Sequence, residues 1–216
     1  MLSRFASLFE PRKNYGDGLF ELIISDYVAY YRATPMRTRW SVSGSTRHES
    51  KRRLALMFIP RMLHNPCLHA TLLLRLALRS PKFMMGFWRT ALIAKHTIDI
   101  QGGIEIGPGL LLPHPLGIVL GWQARIGRDV TILHSVTIGG VVRHPEGEPQ
   151  LCPAIGDDVV IYPQSILVGP ITVGSGAVIG AGAWLDHDLP PGAKHSGRSA
   201  LFQESRLAGA DGRSAT

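Results

Sequence analysis

The stretch AIGDDVVIYPQSILVGPITVGSGAVIGAGAWL, residues 154–185, carries an aliphatic side chain at every sixth position. A six-residue step turns an α-helix by about 600°, so such side chains would be scattered around a helix. The β-branched residues and glycines of the stretch are typical of short strands joined by tight turns. The stretch therefore predicts β-structure that repeats every six residues. The repeated positions are Ile155, Ile161, Leu167, Val173, Ile179 and Leu185.

The same step occurs upstream, from about residue 98. It runs without a gap through seven further positions, and the register then breaks until Ile155. Hexapeptide periodicity indicates a solenoid whose stacked coils share a continuous apolar interior. With three hexads in each coil, residues 98–195 are predicted to form a mainly β, triangular solenoid of about four coils, with each repeated side chain facing inward. The seven upstream positions are Ile100, Ile106, Leu112, Ile118, Ala124, Val130 and Val136.

The chain before the repeat has a helical pattern. Residues 17–35 are predicted to form an amphipathic helix with its aromatic residues in the core, and further helices are expected around 53–64 and 67–95. A basic, Ser- and Thr-rich connector separates the first helix from the second. We therefore expect an α-helical N-terminal region at 1–97, a β-helix at 98–195 with a loop at 140–152, and a tail at 196–216. The apolar positions of the first helix are Phe20, Ile23, Ile24, Tyr27 and Tyr31.

Composition and charge limit the classes of function. The chain has 45% hydrophobic residues, which excludes disorder throughout, and its net charge of +7 favours anionic partners without selecting one. Because zinc spacings, helix-turn-helix patterns and RNA-binding motifs are not seen, we expect no nucleic-acid partner. Two cysteines, no secretory signal and no long apolar segment favour a cytoplasmic protein. The basic helices are expected to face solvent, with peripheral contact to a membrane or glycan as the alternative.

Three segments carry a resemblance to a known family: DIQGGIEIGPGLLLPHPLGIVLG at 99–121, VTILHSVTIGG at 130–140, and 153–185. They resemble the hexapeptide-repeat acyltransferases, and within these the serine acetyltransferases and related O-acetyltransferases. The segment NPCLHATLLLRLA at 65–77 extends the resemblance weakly. The resemblance implies a left-handed parallel β-helix, acetyl-CoA as the acyl donor and no metal.

His114 and Asp99 occupy the positions that this family uses for a general base and for the aspartate that orients it. Acetyl transfer to an alcohol must remove the hydroxyl proton as the oxygen attacks the thioester, and a neutral imidazole is a suitable base near pH 7. A carboxylate on the other ring nitrogen fixes the tautomer and stabilises the imidazolium that forms. The alternative is a turn histidine whose ring is satisfied by backbone groups.

The residues around His114 differ from those of the serine acetyltransferases. Pro113 and Trp122 stand where that family has carboxylates, and residues 45–60 lack the aspartate expected there. The loss of carboxylates removes partners for a substrate ammonium group, so a sugar or glycan hydroxyl is the favoured acceptor and L-serine the alternative. His134 and Cys152 resemble residues of the colanic-acid-type polysaccharide O-acetyltransferases. Cys152 as a nucleophile is a minor alternative, because direct transfer does not need one.

The interruption GVVRHPEGEPQLC, residues 140–152, is the place where a solenoid would carry a functional loop. In the family this loop reaches over the active site of a neighbouring subunit, so the resemblance implies a homotrimer or a multiple of trimers. Arg143 and His144 would then contact the acceptor or cofactor. A mobile polar loop is the alternative of comparable weight.

The donor site is also inferred from the resemblance. Family members bind coenzyme A in the groove between the coils of two protomers, at positions that match Gly140 and Ala181, while Tyr162 and Pro163 replace small residues there. The chain lacks the terminal isoleucine that docks serine acetyltransferases into a cysteine-synthase complex, so that complex is not expected. A noncatalytic solenoid that serves as an assembly module remains as a third hypothesis.

Overall fold

The structure is a computed structural model that describes residues 18–33, 63–140 and 152–197. Within these ranges, three helices precede a series of strands of two or three residues. The helices are α1 Leu19–Ala33, α2 Pro66–Arg79 and α3 Lys82–His96. The strands are β1 Asp99–Ile100, β2 Glu105–Ile106, β3 Val119–Leu120, β4 Arg125–Ile126, β5 Thr131–Ile132, β6 Thr137–Gly139, β7 Ala154–Ile155, β8 Val160–Ile161, β9 Ile166–Val168, β10 Thr172–Val173, β11 Val178–Ile179, β12 Trp184–Leu185 and β13 Lys194–His195.

The strands form three parallel sheets, and consecutive strands fall in different sheets. Sheet one contains β1, β3, β6, β9 and β12; sheet two contains β2, β4, β7 and β10; sheet three contains β5, β8, β11 and β13. An isolated bridge between Leu111 and Thr131 extends sheet three by one coil. The chain therefore winds as a parallel β-helix with three faces, which confirms the predicted solenoid.

The interior is built from two side chains in each hexad. Ile126 and Val130 show the pattern: the first ends a strand, and the second follows four residues later in the turn. All thirteen residues of the predicted series are buried. Side chains of neighbouring coils thus stack in one continuous apolar column.

The prediction of an unbroken first series was wrong at one step. Leu112 is the first inward residue of its hexad, and Ile118 is the second inward residue of the same hexad, moved on by an extension of the turn. Leu120, not Ile118, is the buried residue of β3. The two inward residues of a hexad are normally four residues apart. Two extra residues between Leu112 and Ile118 make this spacing six, the same as the step between hexads, so the extension could not be recognised from the sequence.

The helical region also differs from its prediction. The single helix expected at 67–95 is two helices, because Pro81 cannot donate a backbone hydrogen bond and separates α2 from α3. The Asn65 side chain accepts hydrogen bonds from two backbone N–H groups at the start of α2 and caps it. Most of the predicted helix at 53–64, the connector before it and most of the tail lie outside the described residues.

The predicted core face of α1 was wrong. This helix buries Leu22 and Asp26, whereas Phe20 and Tyr31 are exposed. Asp26 is buried because it forms a bidentate ion pair with Arg75 of α2, at 2.8 Å for each hydrogen bond. A buried polar group of this kind is tolerated only when its hydrogen bonds are made.

The Asp26–Arg75 pair fastens the helices to the first coil of the β-helix. Arg75 donates to the carbonyl oxygens of Ile106 and Gly107 at 2.7 and 2.6 Å, and Asp26 accepts from the backbone N–H of Leu110 at 2.8 Å. Burial raises the pKa of the Asp26 carboxyl, while the Arg75 guanidinium opposes that rise. The helices therefore close the end of the solenoid through a fully buried polar junction.

Candidate active site

Two corners of the β-helix border sheet one. The chain enters sheet one at the first, which we call the histidine corner; it comprises residues 113–118, 133–136, 162–165 and 180–183. The chain leaves sheet one for sheet two at the second, which we call the loop corner; its described residues are 101–104, 121–124, 140, 152–153 and 169–171. The sequence-predicted site residues divide between these two corners.

His114 lies in an extended turn of the histidine corner. Leu111 pairs with Thr131, 20 residues on, whereas Val119 pairs with Thr137, 18 residues on, so the first of these turns has two more residues than the next. His114 occupies the extra segment with φ of +55°, in the left-handed region, and it is exposed. Turn residues of other coils, such as Gln123, Ser135 and Gln164, have the same conformation, so the extension and not the conformation distinguishes this turn. The extension thus presents an imidazole where the other coils make a tight turn.

His134 lies next to His114 on the following coil. The two ring centroids are 6.2 Å apart and the rings are nearly perpendicular, at 80°. The Nδ1 atom of His134 is buried and has no hydrogen-bond partner among the described residues. Because buried polar atoms are rarely left unpaired, this nitrogen is available to a bound ligand. The predicted acceptor residue His134 and the predicted base therefore share one place.

Asp99 begins the first strand of sheet one, but it is not hydrogen-bonded to His114. Its carboxylate instead accepts two hydrogen bonds from Arg89 of α3: Oδ1 from Nε at 2.6 Å and Oδ2 from Nη2 at 3.0 Å. The Arg89 guanidinium holds the pKa of the Asp99 carboxyl below its ordinary value. The direct Asp99–His114 contact stays a prediction, and the partner that the structure shows is Arg89.

Arg89 is the residue that sequence reasoning missed. One signal was present, since the chain has no acidic residue between Glu49 and Asp99, so Asp99 is the first carboxylate that follows the basic helices. A second polar contact joins the same places: the N–H of Gly117 donates to Oγ1 of Thr97 at 2.8 Å. Thr97 ends α3 with φ of +51°. The middle of α3, through Arg89, therefore contacts the Asp99 strand, and its C-terminal cap, Thr97, contacts the His114 turn.

The loop corner holds two further predicted acceptor residues, Trp122 and Cys152. Trp122 lies there and is 47% exposed, and its ring lies beside Gly103 of the previous coil. Gly140 and Cys152 are the described ends of the predicted loop, and Arg143 and His144 lie outside the described residues. Within one chain, sheet one separates Trp122, Gly140 and Cys152 from His114.

Cys152 is buried at the loop corner. Its Sγ lies 2.9 Å from the place where a Cβ on Gly121 would be, so only glycine fits at that position. Burial raises the pKa of the Cys152 thiol, which lowers the fraction of reactive thiolate. These features favour a packing role over a nucleophilic one.

The remaining predicted cofactor residues stack on the histidine corner. The carbonyl of Pro163 accepts from the N–H of Gly182 at 2.9 Å. Tyr162 and Pro163 therefore lie on one coil, and Ala181 lies on the next. Tyr162 is exposed. Pro113 precedes His114 in the extended turn. One edge of the solenoid thus runs from the predicted base to three of the four predicted coenzyme A residues.

The described residues offer neither a metal-binding cluster nor a membrane-spanning helix. Residues 18–33, 63–140 and 152–197 contain no group of three His, Cys, Asp or Glu side chains close enough to hold a metal ion. Each described helix is too short or too polar to cross a membrane. The arrangement at the histidine corner suits proton transfer by an exposed imidazole next to a second imidazole.

Comparisons with known proteins agree with the fold. A family profile described as "Bacterial transferase hexapeptide (six repeats)" matches residues 153–187. A serine acetyltransferase of Helicobacter pylori is 38% identical over 143 residues, which cover 64% of this chain and 82% of the relative. Together with the three parallel sheets, these matches bear out the prediction of a left-handed parallel β-helix preceded by helices.

Solved structures extend the likeness into the helices. The serine acetyltransferase of Neisseria gonorrhoeae, in complex with serine, has a TM-score of 0.61 at 28% identity and covers 82% of this chain. The match takes in 65% of the Neisseria chain, slightly less than two thirds. The soybean serine acetyltransferase complexed with serine has a TM-score of 0.66 at 26% identity, over 92% of this chain and 71% of that one.

Proposed function

Because the chain belongs to the serine acetyltransferase-like family of hexapeptide-repeat acyltransferases, we propose that it transfers an acetyl group from acetyl-CoA to a hydroxyl, with His114 as the general base. His114 takes the hydroxyl proton as the oxygen attacks the thioester carbonyl. The tetrahedral intermediate then expels the coenzyme A thiolate, which receives the proton from the imidazolium. One ester forms, one thioester breaks, and the imidazole returns to its neutral form without a covalent enzyme intermediate.

The placement of His114 carries the proposal. Its turn has two residues more than the equivalent turn of the next coil, and the histidine stands in that extra segment in a left-handed conformation. A turn residue needed only for the fold would not require an extension, since the equivalent turns before β6, β9 and β12 close without one. The exposed ring next to His134 is accessible to an acceptor hydroxyl.

The division of residues between two corners supports a trimer. In one chain, the strands of sheet one lie between His114 and the described loop-corner residues Trp122, Gly140 and Cys152. A neighbouring copy packed against sheet one would bring its loop corner to this histidine corner. The outer face of sheet one carries apolar side chains for such a contact, with Val119 36% and Trp184 57% exposed. Each site would then be completed by two protomers.

L-Serine is the first acceptor to test. The relatives are named serine acetyltransferases, and two solved neighbours were determined with serine bound. These names do not support the predicted preference for a glycan. A sugar hydroxyl stays as the second candidate, because Pro113 and Trp122 offer no carboxylate to a substrate ammonium group and an exposed indole suits the face of a sugar ring.

The remaining expectations about partners stay predictions. These are acetyl-CoA as donor at Gly140, Tyr162, Pro163 and Ala181, the lack of a cysteine-synthase complex, the lack of a nucleic-acid partner, and a cytoplasmic location with peripheral membrane contact as an alternative. A catalytic function excludes the third hypothesis, a noncatalytic assembly module, since that module would neither bind acetyl-CoA nor depend on His114.

The experiment is an acceptor screen with acetyl-CoA and the full chain, in which thiol release and the mass of the acetylated product are both measured. L-Serine, N-acetylated serine and a set of mono- and disaccharides serve as acceptors. Acetylation of L-serine but not of N-acetylserine would show that the ammonium group is recognised. Acetylation of sugars alone would establish the glycan reading, and no product with any acceptor, despite measured acetyl-CoA binding, would contradict acetyl transfer to these hydroxyls.

A further inference from the structure

We propose that Arg89 is a positioning residue of this active site, which holds the Asp99 carboxylate in the orientation from which it acts on His114. The inference rests on the proposed function, since it requires His114 to be the base. It adds a third residue to the predicted pair, and it assigns α3 a role in catalysis as well as in packing.

The geometry of the ion pair favours this role. Nε and Nη2 of Arg89 each donate to a different oxygen of Asp99, at 2.6 and 3.0 Å, which fixes both the position and the plane of the carboxylate. A carboxylate has about four acceptor sites, so the two that Arg89 fills leave others for a ring N–H of His114. The pair therefore orients Asp99 without consuming its ability to accept from the base.

Stability does not account for the pair. The side chains of Arg89 and Asp99 are 43% and 36% exposed. Exposed ion pairs contribute little to stability, because solvent screens the attraction and both side chains lose rotamer freedom. A bidentate contact at such a place is better explained by the need for one fixed carboxylate than by the need for a stronger junction.

Helix α3 and its C-terminal cap contact both sides of the proposed site. Arg89 holds the strand that begins at Asp99, and Thr97 accepts from the backbone N–H of Gly117, three residues after His114. The same helix thus sets the carboxylate and the turn that carries the imidazole. Arg89 also holds the pKa of Asp99 below its ordinary value, which favours the ionised carboxylate.

The test compares Arg89→Gln and Arg89→Lys with unmodified protein, in acetyl transfer to the acceptor found by the screen. For Arg89→Gln, kcat should fall by about tenfold, the lower end of what removing an orienting partner costs, while KM for the acceptor stays within about twofold. Arg89→Lys keeps the charge and should recover part of kcat. Lys82→Gln removes one positive charge from the same helix, away from Asp99, and should leave kcat unchanged.

A double variant separates positioning from a general charge effect. In the Asp99→Asn background, Arg89→Gln should cause no further loss of kcat, because residues that act as one unit are not additive. An equal further loss there, or a kcat for Arg89→Gln equal to that of Lys82→Gln, would overturn the role of Arg89 while leaving His114 as the base.

A His114→Ala variant identifies a failure of the underlying function. If this variant abolishes transfer and Arg89→Gln lowers it, both inferences stand. If the unmodified protein transfers no acetyl group, or His114→Ala is as active as the unmodified protein, the proposed function fails and the role of Arg89 falls with it.

Discussion

Two bidentate Arg–Asp pairs join the helices to the first coil of the β-helix, and they differ in one physical property. Arg75 and Asp26 are 2% and 1% exposed, whereas Arg89 and Asp99 are 43% and 36% exposed. The buried pair also binds three backbone groups of the first coil, whereas both hydrogen bonds from Arg89 go to the Asp99 carboxylate. The same chemistry therefore serves docking at one place and orientation of a carboxylate at the other.

The contrast shows why an ion pair cannot be interpreted from its geometry alone. Breaking a buried pair leaves a charge without water or a partner, whereas breaking an exposed pair returns both groups to solvent. Variants of the first pair should change stability, and variants of the second should change catalysis with little change in stability.

The largest effect is expected for Arg75→Leu. This change leaves Asp26 buried without a cation and leaves the carbonyls of Ile106 and Gly107 without donors. The free energy of unfolding should fall by about 3–5 kcal/mol. Chemical denaturation followed by far-ultraviolet circular dichroism measures it.

Two controls accompany this variant. Lys82→Leu alters an exposed cation in the first turn of α3, and it should change stability by less than about 0.5 kcal/mol. In Asp26→Leu/Arg75→Leu the buried charge is gone, so much of the lost stability should return. A double variant as unstable as Arg75→Leu alone would show that the pair is needed for more than charge compensation.

A smaller effect is expected for Arg89→Gln. Loss of the exposed pair should lower the free energy of unfolding by no more than about 1 kcal/mol, since exposed pairs contribute 0.2–1 kcal/mol. The same denaturation experiment checks it, next to the kcat measurement. A loss as large as that of Arg75→Leu would remove the distinction between the two pairs.

The smallest effect concerns a third polar contact, between α2 and α3. Nδ1 of His69 and Nε2 of His96 are 2.8 Å apart, and burial lowers the pKa of both imidazoles below 6.5, with Lys95 adding to the effect. The unfolded chain then binds more protons than the folded one as the pH falls below about 6.5, so stability should decrease from there downward.

Thermal midpoints at pH 7.5, 6.0 and 5.0 test this dependence. In His69→Gln/His96→Gln the fall of the midpoint between pH 7.5 and 5.0 should be smaller than in the unmodified protein, because two titrating groups are gone. An identical fall in both proteins would assign the pH dependence to other groups.

The sequence predicted the repeating part of the molecule because each coil carries its own six-residue pattern of apolar residues. Six-residue spacing depends only on local geometry, and all thirteen predicted positions are buried. The prediction was wrong at the step from Leu112 to Ile118, because a turn extended by two residues gives the same six-residue interval as a regular repeat. His114 lies in this extended turn. The two-residue extension that made the predicted register wrong therefore also exposes the candidate base.

Contacts between distant segments could not be predicted from local patterns. Asp26 and Arg75 are 49 residues apart, and nothing in the spacing of α1 indicates that a charged residue lies on its buried face. The division of the site residues between two corners follows from the winding of the chain, which assigns Trp122 and His114 to opposite sides of β3. The family resemblance identified His114 and Asp99 as candidates, whereas the contact between Arg89 and Asp99 was visible only in the structure.

The most direct test of acetyl transfer by His114 is the steady-state kcat of His114→Gly with the acceptor that the screen identifies. Glycine adopts a φ of +55° without strain, so this variant should fold as well as the unmodified protein and isolate the loss of the imidazole. If His114 is the general base, we expect kcat to fall by about 100-fold or more, with acetyl-CoA affinity unchanged. A folded variant that keeps kcat within a few-fold of the unmodified protein would contradict it.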